Sequence, residues 1–282
     1  MVVFPNCKIN IGLRILRKRA DGYHDIETVM VPVPWCDVLE IVVAERPSFY
    51  LSGNSLGNIP PEKNLVLKAL RNLESETGIT LPPLAIYLHK SIPDGAGLGG
   101  GSADASFALK AVNELLSLSL SDNRLAEIAA KTGADCPFFI YNRPMLAQGI
   151  GQRLSPVEIP SLNGRWITIV KPSAEAVATP AAYAGVTPCE LPDGICLNQY
   201  ICRPAQQWHT DGVLVNDFEP SIFALRPVIA DTLARLRSFN PVYSAMSGSG
   251  ASLFAIFDTK EAAAHATASF PDCVTFCTAL NI

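Results

Sequence analysis

The chain has 282 residues, of which 49% are hydrophobic and 17% are charged. This composition predicts a packed globular protein rather than a disordered one, because enough apolar surface is available to form a core. The net charge of −4 argues against the broad basic face that nucleic acids and membrane surfaces require.

The cysteines, histidines and N-terminus favour a cytoplasmic protein without a resident metal. Residues 1–5 are too short an apolar stretch for a signal peptide, and no apolar run reaches the length that spans a bilayer. The eight cysteines include no C-x-x-C pair, and the four histidines are too far apart for a metal site. We therefore expect a zinc-free cytoplasmic monomer or homodimer that binds a small-molecule substrate, and neither nucleic acid nor membrane.

Alternating apolar residues predict strands near the start of the chain. Over residues 8–15, isoleucine or leucine fills every second position, which predicts a strand with one buried face. The other face would carry Lys8 and Asn10 together. Further strands are predicted at 26–33 and 38–43, and the segment 47–61, rich in Pro, Gly, Ser and Asn, predicts a loop.

Helix signals begin in the middle of the chain. Asn64 is a predicted N-cap for a helix over 65–77, and Gly78 is suited to end that helix. The later elements are predicted as a strand at 84–89, helices near 102–116, 122–132, 221–225, 227–238 and 261–269, and strands at 242–246, 252–257 and 274–280. We therefore predict an α+β protein with two domains, 1–158 and 159–282.

The segment 93–104 reads PDGAGLGGGSAD and places five glycines between a predicted strand and a predicted helix. Glycines allow positive φ angles, so that backbone N–H groups can surround an anion. The helix that begins near Ser102 would direct its own N–H groups and the positive end of its dipole to the same place. A flexible linker would not lie between a buried strand and an amphipathic helix, so the pattern favours phosphate binding.

Two better-known phosphate loops do not fit this segment. A Walker A loop requires a lysine directly after its glycines, and none is present. Gly95, Gly97 and Gly100 form a G-x-G-x-x-G pattern. A dinucleotide-binding unit also needs a strand after the helix, followed by an acidic residue. Here the acidic residue at the right distance, Asp122, opens another helix, and the required strand is missing. A second glycine cluster, at 247–251, would by itself be interpreted equally well as a hairpin turn.

Taken together, three segments resemble the GHMP small-molecule kinases. They are the first strand with Lys8 and Asn10, the glycine-rich loop at 93–102, and the sequence MSGSGA at 246–251. Finer features resemble the branch of this family that phosphorylates a cytidine-diphosphate-linked methylerythritol. These features are RADGYH at 19–24, the triple glycine at 99–101 and GADCPF at 133–138.

The resemblance implies both a fold and a reaction. The fold would pair an N-terminal domain like domain 2 of ribosomal protein S5 with a ferredoxin-like C-terminal domain. The reaction would be ATP-dependent phosphorylation of the 2-hydroxyl of 4-diphosphocytidyl-2-C-methyl-D-erythritol, in the non-mevalonate pathway to isoprenoid precursors. Mg²⁺ would arrive with ATP and keep several waters, so no protein metal ligand is assigned.

The resemblance also implies roles for single residues. Asp135 matches the catalytic base of the family, and Lys8 matches the lysine that would keep this carboxylate ionised and neutralise charge on the transferring group. The candidate substrate-binding residues are Asn10, Tyr23, His24 and Tyr183, the last three directed at the cytosine. The candidate ATP-binding residues are Pro93, Asp94, Gly95, Ala96, Gly97, Leu98, Gly99, Gly100, Gly101, Ser102 and Ala103.

Taken one at a time, these residues have simpler interpretations. Asp135 could cap a local turn, and Lys8 could be an exposed edge residue. Tyr23 and His24 could merely flank a turn. Asp217 precedes a predicted helix and is interpreted as its cap rather than as a site residue.

Two other functions stay open at this level. Another GHMP kinase, acting on homoserine, mevalonate or a sugar, is disfavoured by the DGYH sequence at 21–24, since those substrates offer no nucleobase to stack on. A nucleotide-binding protein without turnover is disfavoured by the presence of both Lys8 and Asp135, because a binding module does not need a base beside the γ-phosphate.

Overall fold

The computed structural model describes residues 1–54, 63–189, 196–209 and 212–281. The chain forms two compact units, and each unit is assembled from separate segments of sequence. Unit 1 comprises Met1–Lys8, Pro34–Asp94 and Gly99–Arg143, and unit 2 comprises Ile9–Val33, Gly95–Leu98 and Pro144–Ile282. The first long strand and the glycine-rich loop therefore contribute residues to both units. The division of the chain into domains 1–158 and 159–282 stays a prediction.

The described residues contain twelve strands and nine α-helices. The strands are β1 (Val2–Val3), β2 (Asn6–Lys18), β3 (His24–Cys36), β4 (Val38–Val43), β5 (Ser48–Gly53), β6 (Leu84–Lys90), β7 (Met145–Gly149), β8 (Arg153–Pro156), β9 (Trp166–Pro172), β10 (Tyr243–Met246), β11 (Leu253–Phe257) and β12 (Cys273–Ala279). The helices are α1 (Leu65–Thr77), α2 (Gly100–Leu115), α3 (Asp122–Ala130), α4 (Cys136–Tyr141), α5 (Thr179–Ala184), α6 (Leu197–Ile201), α7 (Glu219–Leu225), α8 (Pro227–Arg237) and α9 (Lys260–Ala268). None of these helices is long and apolar enough to cross a membrane.

Unit 1 is built on a sheet with the strand order β1-β4-β6-β5. Apolar side chains of β4 and β6, among them Leu39 and Ile86, are buried in one core with Leu109 and Val112 of α2. Apolar residues recur at helical spacing along α2, so one face of the helix faces this core. The helix that follows the glycine-rich loop is thereby fixed to the sheet that precedes the loop.

The start of α1 follows the predicted capping chemistry. The side chain of Asn64 accepts a hydrogen bond from the Val66 N–H at 2.9 Å, which satisfies one of the unpaired donors of the first turn. Gly78 ends the helix with a φ of 70°, in the left-handed region that favours glycine. Both predicted bounds of this helix are confirmed.

The loop predicted at 47–61 is wrong in its first part. Residues Ser48–Gly53 form β5, which pairs in parallel with β6. Phe49 and Leu51 pack against the core of unit 1, so the strand keeps the alternation expected of a sheet with one buried face. Serines and a glycine at the ends of this short strand are typical of loops, so its alternation of apolar residues was not recognised in the sequence. Residues 55–61 of the predicted loop lie outside the described residues.

Unit 2 contains two sheets, one with the order β2-β3-β7-β8 and one with the order β10-β11-β9-β12. In the second sheet each neighbouring pair is antiparallel. Helices connect β9 to β10, a short turn connects β10 to β11, and α9 connects β11 to β12. This is the βαββαβ arrangement of the ferredoxin-like fold, as expected for the C-terminal half.

Candidate active site

Lys8 and Asp135 form an ion pair within unit 1. The Lys8 Nζ lies 3.5 Å from Asp135 Oδ2, and the two side chains are 4% and 34% exposed. Lys8 is therefore a buried residue, which corrects its simpler interpretation as an exposed edge residue. The buried ammonium holds the carboxylate in place, and the exposed part of that carboxylate stays accessible to a ligand.

Asp135 occupies the N-cap position of α4 without acting as its cap. Its side chain makes no capping hydrogen bond to the first turn of the helix. The carboxylate instead faces Lys8, which lies far from it in the sequence. The simpler interpretation of Asp135 as the cap of a local turn therefore does not account for its position.

The glycine-rich loop enters α2 through Gly99, which lies close to the Lys8 side chain. Gly99 has a φ of 73°, and a Cβ atom there would lie 2.9 Å from Phe139 Cζ and 3.2 Å from Lys8 Cε. Only glycine fits both the conformation and the space. Gly99 is also the N-cap residue of α2, and no side chain caps this helix. The start of α2 therefore presents backbone N–H groups beside a buried lysine, an arrangement suited to phosphate.

Ser102 and Cys136 lie together next to this helix start. The Ser102 hydroxyl is hydrogen-bonded to the Cys136 thiol, which partly offsets the effect of burial. Burial dominates and raises the pKa of the Cys136 thiol to about 12. Cys136 thus stays a neutral thiol at physiological pH and adds no charge beside Asp135.

Residues Gly95–Leu98 of the glycine-rich loop belong to unit 2, and there the loop packs directly on the second glycine cluster. A Cβ atom on Gly97 would lie 2.0 Å from the Ser247 carbonyl oxygen, and one on Gly248 would lie 2.9 Å from the Gly97 carbonyl oxygen. The Ser247 hydroxyl donates to the Gly97 carbonyl at 3.0 Å, and the Ser252 N–H donates to the Ala96 carbonyl at 3.1 Å. The two clusters therefore make one backbone-to-backbone contact, which excludes an isolated hairpin turn as the reason for the second cluster.

Two aromatic rings from distant parts of the sequence stack in unit 2. The rings of His24 and Tyr183 have centroids 4.8 Å apart and planes 19° apart. Tyr183 also meets Phe218 edge to face, at 4.9 Å between centroids. Burial and the charge of Lys18 lower the pKa of His24, so that its imidazole is neutral at pH 7 and offers both a donor and an acceptor. Tyr23 is 60% exposed on the preceding turn.

Asn10 is buried on β2, in unit 2. Its amide donates to the Thr28 hydroxyl at 3.1 Å, and this hydroxyl donates to the Gly12 carbonyl at 2.6 Å. The bond to Thr28 fixes the amide, and its carbonyl oxygen lies close to Gly248, where a Cβ atom would be 3.4 Å away. Asn10 thus joins the first strand to the second glycine cluster.

A small cavity of about 120 Å³ opens against the start of α2 in unit 1. Gly101 and Asp94 of the glycine-rich segment line it. Its other lining residues are Leu51, Lys63, Asn64, Leu65, Leu88, Lys90 and Asp104. Among the described residues, no group of three or more His, Cys, Asp or Glu side chains could hold a metal ion.

Comparisons with known proteins agree with this arrangement. The model of the GHMP kinases N terminal domain matches residues 64–143, and that of the GHMP kinases C terminal domain matches residues 195–273. A 4-diphosphocytidyl-2-C-methyl-D-erythritol kinase of Parabacteroides distasonis is 47% identical over 258 residues, which is 92% of each chain. This chain belongs to the GHMP kinases, in the 4-diphosphocytidyl-2-C-methyl-D-erythritol kinase family. It is therefore a kinase, an enzyme that transfers a phosphoryl group.

Solved structures place this kinase in the same fold. A crystal structure of 4-(cytidine 5'-diphospho)-2C-methyl-D-erythritol kinase covers 98% of each chain with a TM-score of 0.81 and 27% identity. A mevalonate kinase structure covers 100% of each chain with a TM-score of 0.73 but is only 13% identical, so it shows the fold alone. The predicted α+β GHMP kinase fold is confirmed.

One residue that supports the second glycine cluster of this kinase was not identified from the sequence. The buried Asn216 donates through its side-chain amide to the carbonyls of Met246 at 2.7 Å and Gly248 at 2.8 Å. It also accepts from the Phe218 N–H at 3.0 Å. An asparagine before a helix is ordinarily interpreted as a local turn residue, and nothing in the sequence indicated its distant partners.

The interpretation of Asp217 as a helix cap is wrong. Its carboxylate accepts from the Ile15 N–H at 2.8 Å and from the Arg14 guanidinium at 3.2 Å. The helix α7 begins at Glu219, with Phe218 at its N-cap position. Since both partners of Asp217 are on β2, its role is to attach this segment to the first long strand.

Proposed function

We propose that this kinase transfers the γ-phosphoryl group of ATP to the 2-hydroxyl of 4-diphosphocytidyl-2-C-methyl-D-erythritol, a step of the non-mevalonate route to isoprenoid precursors. The observation that carries the choice of substrate is the 47% identity with a relative of that name over 92% of both chains. The stacked pair of His24 and Tyr183 supports it, because a flat aromatic surface beside a neutral imidazole suits a nucleobase.

The proposed chemistry is a direct transfer assisted by Asp135 as general base. The carboxylate would accept the proton of the substrate 2-hydroxyl as its oxygen bonds to the γ-phosphorus and the bond from that phosphorus to the β-γ bridging oxygen breaks, releasing ADP. Lys8, 3.5 Å from Asp135, would hold the base in position and neutralise charge on the transferring group. The exposed part of Asp135 supports this role, since a base must reach its substrate.

The ATP phosphates are proposed to bind along Pro93–Ala103. The N-cap residue Gly99 supports this, because it has no side chain of its own to bond the N–H groups of the first turn, and such groups suit an anion. Mg²⁺, when bound with ATP, would neutralise the phosphates and hold them in line for attack.

The cytidine end of the substrate is proposed to bind at Tyr23, His24 and Tyr183, and the hydroxyl end near Asn10. Tyr183 lies against Phe218, which gives one face of its ring a fixed backing. The exposed Tyr23 is on the turn before His24 and would close over the base when the substrate binds. Asn10, held by Thr28, would orient the acceptor through its amide.

The first test is direct. Purified protein is incubated with Mg-ATP, and ADP release is followed with and without 4-diphosphocytidyl-2-C-methyl-D-erythritol. We expect substrate-dependent ADP release and a product heavier by one phosphoryl group, and we expect CMP to compete with the substrate. ATP binding without turnover of this substrate, together with turnover of homoserine, mevalonate or a sugar, would overturn the proposed acceptor while leaving the kinase assignment intact.

A further inference from the structure

Three ionisable side chains are buried together in unit 1, away from the Lys8–Asp135 pair. The Lys90 ammonium donates to carboxylate oxygens of both Asp37 and Asp104, the latter at 2.7 Å. The side chains of Asp37, Lys90 and Asp104 are 0%, 4% and 3% exposed. Burying ionisable groups costs free energy unless they are closely paired, so this triad needs an explanation beyond general stability.

The triad connects the two ends of the glycine-rich loop. Asp37 accepts from the N–H groups of Ser91 at 2.6 Å and Ile92 at 2.8 Å, the residues that enter the loop from β6. Asp104 lies about one turn into α2, the helix that leaves the loop. Lys90 bonds to both aspartates and so links the entering strand to the leaving helix.

The start of α2 depends on this link. A Cβ atom on Gly100, the first residue of the helix, would lie 3.2 Å from Lys90 Nζ. The ammonium therefore packs directly under the first turn, whose N–H groups are proposed to bind phosphate. If the bond from Lys90 to Asp104 is lost, the first turn of α2 loses its electrostatic attachment to β6.

We propose that Asp104, acting through Lys90, is a positioning residue that holds the first turn of α2 in place for the phosphates of ATP. The inference deepens the proposed function and rests on ATP binding along Pro93–Ala103. Asp104 does not act on the acceptor, so its effect should appear in the binding of ATP and not in that of the cytidyl substrate.

The protonation state of Asp104 sets the charge of this triad. Among the described residues, its Oδ1 is buried without a hydrogen-bond partner. Burial, together with the negative charge of Asp37 and only partly offset by Lys90, raises the pKa of Asp104 to about 8. In its protonated form the Asp104 carboxyl shares a hydrogen bond with Asp37, and the triad then carries no net charge. Lys63 and Asp94 are the other charged groups on the cavity that Asp104 lines.

Ionisation of Asp104 would add a negative charge about one helical turn from the proposed phosphate site. Like charges repel more strongly in a buried setting than in water. ATP affinity should therefore fall as the pH rises through 8. Asparagine has nearly the shape of protonated aspartate, accepts from Lys90 and donates to Asp37, but does not ionise.

The test compares Asp104→Ala and Asp104→Asn with the unaltered enzyme and with Asn113→Ala. Asn113 is on the same helix, and its amide bonds to the Leu120 backbone at the opposite end from the loop. KM for ATP, KM for the cytidyl substrate, kcat and the affinity for a non-hydrolysable ATP analogue are measured from pH 6.5 to 9.5. Circular dichroism verifies folding at each pH.

For Asp104→Ala we expect KM for ATP to rise about tenfold at pH 7, the factor for one lost charge-assisted hydrogen bond, with KM for the cytidyl substrate unchanged. Asp104→Asn should retain near-normal ATP affinity at pH 7 and lose the alkaline rise in KM for ATP. Asn113→Ala should leave both KM values unchanged.

Equal ATP affinity in Asp104→Ala and the unaltered enzyme would overturn the positioning role. If Asp104→Ala does not fold, Asp104→Asn decides alone, and an alkaline rise as large as that of the unaltered enzyme would contradict the proposal. Failure of the unaltered enzyme to bind the ATP analogue would overturn the proposed function and this inference with it, so the two failures are distinguishable.

Discussion

At the scale of single residues, the Lys8–Asp135 pair makes a kinetic prediction. Asp135→Ala should lower kcat by at least about a hundredfold, because the acceptor hydroxyl loses its base, while ATP binding stays nearly unchanged. Steady-state kinetics and calorimetric ATP titration would measure both. Asp258→Asn, which breaks the Arg165–Asp258 pair, is the matched control and should stay active. A fully active Asp135→Ala enzyme would remove this residue from the mechanism.

Lys8→Ala tests the other half of the pair. The side chain is buried, so its loss leaves Asp135 without its ion-pair partner and the transferring group without a neighbouring positive charge. We expect kcat to fall by about a hundredfold or more. Steady-state kinetics would measure this loss. A Lys8→Ala enzyme with normal kcat would remove Lys8 from the mechanism.

The His24–Tyr183 stack makes a separate prediction about substrate affinity. Tyr183→Ala should raise KM for the cytidyl substrate about tenfold and leave KM for ATP unchanged, because only the nucleobase surface is lost. Tyr183→Phe keeps the ring and should restore affinity. Tyr50→Ala, which breaks the stacked pair of Tyr50 and Tyr87, is the control. Equal losses in Tyr183→Ala and Tyr50→Ala would contradict a specific role in substrate binding.

Sequence alone identified residues whose chemistry is visible in a local motif. Lys8 and Asp135 were predicted from two separate motifs, and the structure pairs them, although their catalytic roles stay proposals. Asn216 and Lys90 were not identified from the sequence. Each looks ordinary in its local sequence, and each bonds to residues that lie elsewhere in the chain. A lysine at the end of a strand is usually exposed, and only burial shows that Lys90 is not.

At the scale of secondary-structure elements, the packing of the two glycine clusters predicts an unequal response to alanine. Gly97 and Gly164 both have positive φ angles, of 73° and 75°, but a Cβ on Gly164 would meet nothing within 4 Å. Gly164→Ala should destabilise the protein by about 1–2 kcal/mol through backbone strain alone. Gly97→Ala should cost about 1–3 kcal/mol more, because its Cβ would clash with the Ser247 carbonyl.

Urea unfolding of both variants measures this difference, and ATP affinity should fall only in Gly97→Ala. Equal stability losses would mean that the two loops separate easily and that the close backbone contact is not required. A normal ATP affinity in a destabilised Gly97→Ala enzyme would confine the contact to a structural role.

The elements that were predicted well are those with strong local periodicity or capping. The helix α1 is fixed by Asn64 and Gly78, and α2 by its apolar stripe. The strand β9 was missed because nearly all of its residues are buried, so it has no alternation to detect. The strands β7 and β8 were missed because they are short, and a run of four or five residues carries little pattern.

At the scale of the whole molecule, the raised pKa of Asp104 predicts how global stability varies with pH. A carboxyl whose pKa is higher in the folded state stabilises most below its unfolded pKa of about 3.9. That stability is lost as the pH rises toward 8. Asp104→Asn does not ionise, so the melting temperature of the variant minus that of the unaltered protein should increase between about pH 4 and 8 and then level off.

Thermal unfolding across this pH range provides the measurement. Asp25→Asn is the control of opposite sign, because Arg17 and Arg19 lower the pKa of Asp25. Asp25 stabilises the folded state above its unfolded pKa, so this variant should lose most stability at neutral pH and little in acid. A melting-temperature difference for Asp104→Asn that does not vary with pH would show that Asp104 is ionised throughout.

The interleaved segments of the two units bear on how this protein is made. On β2, Arg14 bonds to Asp217, which is 203 positions later in the chain. At about 5–20 residues per second, a ribosome needs roughly 10 to 40 s to supply that partner. The strand β3 follows β2 directly in the chain and is its neighbour in the sheet, so these two strands can pair early. The attachment of β2 to Asp217 must wait until most of the chain has been made, and a slower ribosome would lengthen that wait.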